Sequence, residues 1–177
     1  MSNKAWLPNL VTLTNLVLGF YAIILAVNNR FVEAAIFVFL GMILDGLDGR
    51  LARRVAIDSA IGKELDSLAD LGSFGVAPAL IIYQMHLFDF GILGVIVAAL
   101  FPVCGAIRLA RFNVMDSDEM TNYFSGLPIT IAGGLLISFV LAGLVLSSGL
   151  FIPVILFVAF LMISPIKYPN FKHATSF

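Results

Sequence analysis

Six apolar blocks follow one another along the chain, over about residues 9–27, 31–53, 62–87, 90–112, 127–146 and 150–166. Each is close to the ~20 residues a helix needs to cross the hydrocarbon core of a bilayer. Pro8 stands where a helix starts, and Asn28-Asn29-Arg30 and Ser147-Ser148-Gly149 read as turn-like breaks. With no internal repeat and no low-complexity linker, the pattern predicts one domain, 1–177, of six transmembrane helices. Two blocks are not apolar throughout: the last two turns of the second and the first third of the third are polar.

Composition agrees with that reading. The chain has 177 residues, 60% hydrophobic and 12% charged, with a mean hydropathy of +1.04. Soluble domains are roughly 45–50% apolar and about 25% charged, so the fold class expected is an all-α integral membrane protein. The start, Met1-Ser-Asn-Lys-Ala-Trp6, shows no cleavable leader pattern, and Trp6 fits an interfacial anchor. A net charge of −1 argues against a nucleic-acid partner. Cys104 is the only cysteine and the histidines are His86 and His173, so a metal here is a hard one held by oxygen.

The basic residues set the orientation. With six spans, one side carries Lys4, Arg50, Arg53, Arg54, Lys63, Arg108, Arg111, Lys167 and Lys172, and the other Arg30 alone. The positive-inside rule then places both termini on the cytoplasmic side. The polar ends of the second and third helices lie there too.

Those ends hold the anomaly of the sequence: Asp45, Asp48, Asp66 and Asp70. A charged side chain at membrane depth costs about 2.5–3.5 kcal/mol on insertion scales, which makes each a functional candidate. Asp45 and Asp48 are three apart and Asp66 and Asp70 four apart, so each pair shares a helix face. A short connection makes the two helices antiparallel neighbours whose faces meet across one cavity. Four convergent carboxylates suit one or two Mg²⁺, Mn²⁺ or Ca²⁺ ions, and Mg²⁺ commonly engages substrate phosphates as well. Gly49, Ala52 and Gly62 leave room for a bulky ligand, and Arg53 suits an anionic phosphate. The bland alternative, acids that only solvate helix ends, does not call for one-faced spacing with glycines between.

Asp45-x-x-Asp48-Gly49-x-x-Ala52-Arg53-x8-Gly62-x3-Asp66-x3-Asp70 resembles the signature of the CDP-alcohol phosphotransferase family at every fixed position. The resemblance implies six transmembrane helices, a homodimer, and transfer of a phosphatidyl-type group from a CDP-linked lipid to an alcohol, with release of CMP. It implies two divalent cations, Mg²⁺ or Mn²⁺, bridged by Asp45 and Asp66. Asp48 would bind one ion and Asp70 the other, with Asp70 also the general base. A CDP-lipid pocket would use Asp48, Gly49, Ala52, Arg53 and Gly62, with Ser59 where some relatives contact the nucleotide. Asn9 and Thr12, in Pro8-Asn9-Leu-Val-Thr12, resemble the stretch that lines the same site.

The acceptor is read further along. Ile107-Arg108-Leu-Ala-Arg111-Phe112-Asn113, Phe124-Ser125-Gly126-Leu127-Pro128 and Lys167-Tyr-Pro-Asn-Phe-Lys172 resemble the phosphatidylserine synthase branch. That branch implies CDP-diacylglycerol and L-serine as substrates. Arg108 and Arg111, with Asn113 beside them, are the candidates for binding serine, since arginine forks bind carboxylates. Glycerol phosphate or inositol phosphate acceptors would also want arginines, and an archaeal ether lipid would meet the same apolar helix faces. An intramembrane prenyltransferase and a divalent-cation transporter are the more distant alternatives. The former usually has about nine spans and lacks the glycine framework, and the latter often shows internal repeats. Glu33, His86 and Asp89 fall at the opposite face, Asp116, Asp118 and Glu119 form an acidic loop, and Pro78 predicts a kink in the third helix.

Overall fold

The computed structural model describes the backbone of residues 6–55, 60–114, 123–142, 148–165 and 167–169, and the side chains of 9–47, 61–114, 126–142 and 149–165 within them. In chain order the elements are α1 (Trp6–Val27), α2 (Phe31–Val55) and α3 (Ala60–Asp70), a π-helical turn (Leu71–Val76) and α4 (Ala77–Ile82). A second π turn (Tyr83–Leu87) and a 3₁₀ turn (Phe88–Phe90) lead to α5 (Ile92–Val114), β1 (Tyr123–Ser125), α6 (Ile129–Leu141), α7 (Ser148–Ile163) and β2 (Lys167–Pro169). Residues 60–90 form one rod, so among the described residues six helical segments stand in the places the hydropathy blocks predict. The exception to helix is an antiparallel pairing of Phe124 with Tyr168, which holds the segments after α5 and α7 together at one end.

Among the described residues, three stretches are long and apolar enough to cross a membrane: Asn9–Val27, Ile61–Phe90 and Ile92–Val114. Ile129–Leu141 and Gly149–Ile163 are shorter apolar helices. Large apolar side chains face outward on every one of these rods, among them Val17, Phe20, Leu68, Ile92, Val103, Ile131 and Phe157. Exposed apolar surface on this scale marks a lipid-facing protein.

Helix ends follow local chemistry. α1 stops where Asn29 takes a positive φ of 60° and the Asn28 amide donates back to the Ile24 carbonyl at 2.7 Å. Arg30 then pairs with Glu33 in the first turn of α2, at the surface. α6 begins two residues later than its apolar block, because Gly126 has φ 79° and Pro128 is extended at ψ 138°. α7 ends at Ile163, ahead of Pro165, whose ring disfavours helix in the residue before it.

The interior is packed by Phe74, Phe101, Phe151, Ile129, Leu136 and Ile155, all fully buried. Small residues set the close approaches: Ala22, Ala26, Ala34 and Ala35 lie where α1 meets α2, and a Cβ on Gly133 of α6 would run into the Phe74 carbonyl. The expected effect of Pro78 takes the form of the π turn. Pro78 has no N–H to give the ladder, and just before it the Ala77 amide donates to Gly72 five residues back. At the far end of the rod His86 is buried and stacked on Phe151, ring centroids 3.8 Å apart, while Asp89 is exposed.

Candidate active site

α2 presents Asp45 and α3 presents Asp66 and Asp70, all half-buried. One carboxylate oxygen from each lies within 4.8 Å of the others. Among the described residues α2 and α3 touch each other little, and both pack against α1 instead. It is this shared seat, rather than the direct pairing expected from the short connection, that brings together acids the sequence spacing had placed on two separate faces. At an effective dielectric of about 20, ionised groups at that distance repel by about 3 kcal/mol per pair. The cluster is therefore costly by itself and suited to a cation. Its donors are all carboxylate oxygen, the set that hard divalent ions prefer.

The first helix is seated beside these acids. Asn15 is fully buried; its Oδ1 would stand 2.5 Å from a Cβ on Gly41, one turn before Asp45 on α2. The Ser73 hydroxyl, three residues past Asp70, donates to the Asn15 carbonyl at 3.0 Å. Thr12, also buried, is one turn nearer the start of α1, on the side toward Asp45. Asn9 and Gly62 are half-buried. The side chains of Asp48, Gly49, Ala52 and Arg53, and all of Ser59, lie outside the described residues. Asn15 and Ser73 were not singled out by the sequence, although a polar side chain one turn beyond Thr12 in an apolar helix was a legible signal.

The residues read as acceptor-binding fall into two kinds. Arg108 is half-buried, and its guanidinium lies over Phe112, 5.8 Å from the ring centroid. Its Nε is buried and makes no hydrogen bond among the described residues. Arg111 is exposed and donates through Nη1 to the Ile163 carbonyl at the end of α7, at 3.2 Å. The Asn113 amide donates to Glu64 Oε2 at 3.2 Å and to Ser67 Oγ at 3.0 Å. Lys63 reaches back to the Asn113 carbonyl at 3.3 Å and lies 5.8 Å from the Phe112 ring centroid. Lys63, Glu64 and Ser67 are members of this contact that the sequence did not reveal, since their partners are about fifty positions away.

Residues 5–165 match the family model described as CDP-alcohol phosphatidyltransferase. The chain belongs to that family. Within it, a Helicobacter pylori protein named CDP-diacylglycerol–serine O-phosphatidyltransferase is 43% identical over 171 residues, covering 93% of this chain and 72% of that one. A Bacillus subtilis protein of the same name is 37% identical over 172 residues, 94% of this chain and 92% of its own length. An archaetidylserine synthase of Methanothermobacter thermautotrophicus is 40% identical over 167 residues, 93% of this chain and 70% of its own. The CDP-alcohol phosphatidyltransferase fold is membrane-embedded and metal-dependent, which agrees with the apolar rods and the acidic cluster.

Proposed function

We propose that this enzyme transfers the phosphatidyl group of CDP-diacylglycerol to the hydroxyl of L-serine and releases CMP. The observation that carries the reading is the group of Asp45, Asp66 and Asp70, whose carboxylate oxygens two helices bring within 4.8 Å of one another. Relatives named for the same reaction support serine as the acceptor. The archaetidylserine synthase among them keeps open an ether-linked CDP-lipid in place of the diacyl one.

Asp45, Asp48, Asp66 and Asp70 would hold two divalent ions, Mg²⁺ or Mn²⁺. When bound, such ions screen diphosphate charge and stabilise the leaving CMP. The chain supplies the rest. Asp70 accepts the proton of the serine hydroxyl as its oxygen attacks the lipid-side phosphorus. A new oxygen–phosphorus bond forms, the bond from that phosphorus to the CMP oxygen breaks, and CMP departs with its electron pair. Arg108 offers its buried Nε edge to the serine carboxylate, which sets the hydroxyl toward Asp70. Asn9, Thr12, Asp48, Gly49, Ala52, Arg53, Ser59 and Gly62 form the CDP-lipid pocket. The other acceptor candidates, Arg111 and Asn113, are engaged by the Ile163 carbonyl and by Ser67 and Glu64, and in this reading neither touches serine directly.

The same reading takes the chain as one domain of six transmembrane helices that works as a homodimer in the cell membrane. It places the termini and the polar cavity on the cytoplasmic side, where serine is found. The apolar blocks, the nine-to-one division of basic residues and the family likeness support it.

An acceptor screen tests the reaction. Purified protein with CDP-diacylglycerol and Mn²⁺ is expected to release CMP with L-serine and not with glycerol 3-phosphate or inositol phosphate. CMP release with glycerol 3-phosphate but not serine would remove the acceptor assignment. In the same assay Arg108→Gln is expected to raise the serine KM by about 10–100-fold, as loss of a charged hydrogen bond does, with a smaller change in kcat.

A further inference from the structure

Asp70 and Arg108, which receive the two ends of serine in the reading above, sit on different helices, and two contacts hold those helices apart. On the deeper side, α5 meets the 60–90 rod at Gly105 and Gly75. Ile129 of α6 fills the space between, its Cδ1 lying 2.5 Å and 3.2 Å from where Cβ atoms on those glycines would stand. On the outer side, Asn113 of α5 donates to Ser67 and Glu64 of α3, Lys63 donates to the Asn113 carbonyl, and the Ser67 hydroxyl has Asn113 Oδ1 at 3.3 Å. Arg108 lies between Gly105 and Asn113 on one rod, and Asp70 between Ser67 and Gly75 on the other. Asn113 is about 7.5 Å along the helix from Arg108, and Ser67 about 4.5 Å from Asp70, at 1.5 Å per residue. A change at either contact therefore alters the gap between base and guanidinium.

We propose that the contact of Asn113 with Ser67 and Glu64 is a ruler that sets the Asp70–Arg108 gap to the length of serine and so excludes longer hydroxy amino acids. Asn113 and Ser67 are positioning residues here: they act through Arg108 and Asp70 rather than on substrate. The wedge of Ile129 is apolar and makes no directional bond, whereas the Asn113 contact is directional: its side-chain amide donates to Ser67 and Glu64 and its backbone carbonyl accepts from Lys63. The outer contact is thus the one that holds the gap to a single value. The inference rests on serine being the acceptor.

Homoserine, one methylene longer than serine, is the probe. The measurement is CMP release from CDP-diacylglycerol with Mn²⁺, comparing kcat/KM for L-serine and L-homoserine in wild type, Asn113→Ala and Ser67→Ala. Wild type is expected to prefer serine by at least about tenfold, the lower range for discrimination of one methylene. Both variants should lose serine kcat/KM by about tenfold and bring the two acceptors within about threefold of each other. Ser67→Ala removes one partly buried oxygen, so it tests the ruler even where Asn113→Ala does not yield folded protein. A contact that only stabilises the bundle would lower both acceptors together, and an unchanged serine-to-homoserine ratio in Ser67→Ala would overturn the proposal. No serine turnover by wild type would overturn the acceptor reading first, and the ruler with it.

Discussion

Asp70→Asn is expected to lower turnover by about 10²–10⁴-fold, the range that general-base catalysis supplies, while CDP-diacylglycerol still binds. Asp70 is the last residue of α3, directly before the π turn. In the proposed site it is the one of the three clustered acids that faces the acceptor. Asparagine keeps the size and one oxygen but cannot take a proton from serine. Asp45 and Asp66 remain, so the lipid's diphosphate keeps most of its site. CMP release at saturating Mn²⁺ measures the loss, and a CDP-diacylglycerol-induced rise in melting temperature measures the retained binding. Turnover near wild type would remove the role of base from Asp70.

Asp66→Asn and Asp45→Asn should lose metal as well as activity. Each supplies an oxygen to a group whose ligand atoms lie within 4.8 Å of one another, and in the proposed site each would help to hold both ions. The loss in Mn²⁺ affinity should exceed the 10–100-fold typical of removing a partner outside the ligand set. The effect on stability has the opposite sign. Without metal, removing one charge relieves two repulsions of about 3 kcal/mol each at an effective dielectric of about 20, less whatever solvent already screens. The metal-free variants should therefore melt no lower than metal-free wild type. Added Mn²⁺ should raise the melting temperature of wild type, because a ligand of the native state stabilises it, and leave the variants nearly unmoved. Equal stabilisation of all three by Mn²⁺ would rule out a ligand role for Asp45 and Asp66.

Much of the fold was legible because the constraint is local. A helix crossing lipid must satisfy its own backbone and show apolar side chains nearly all round, so apolar blocks locate the rods without any tertiary information. Their ends were less legible. The late start of α6 depends on the positive φ of Gly126 and the extended Pro128. The π turn at Leu71–Val76 accommodates Pro78 against a Phe74 carbonyl that closely faces Gly133, about sixty residues on. Nothing in the local pattern separates a kinked helix from one that widens by a residue. Asn15 shows a similar limit: its polarity inside an apolar helix was legible, but its burial against Gly41 and Ser73 was not.

The acids and the acceptor residues divide in the same way. By itself the sequence determined that Asp45 and Asp48, and Asp66 and Asp70, share faces near the polar ends of two consecutive helices. Helical period and a short connection are enough for that. It also carried the family likeness, because the signature lies within one stretch of chain. Only the tertiary structure decided how close the acids of the two helices come and how the acceptor residues differ. Arg108, Arg111 and Asn113 look alike as polar residues at one helix end. Arg111 is engaged by a carbonyl 52 residues away and Asn113 by a hydroxyl 46 residues away. Arg108 is left with a buried Nε that makes no hydrogen bond among the described residues. Contacts at that separation follow from how whole helices pack, which no spacing within a single helix encodes.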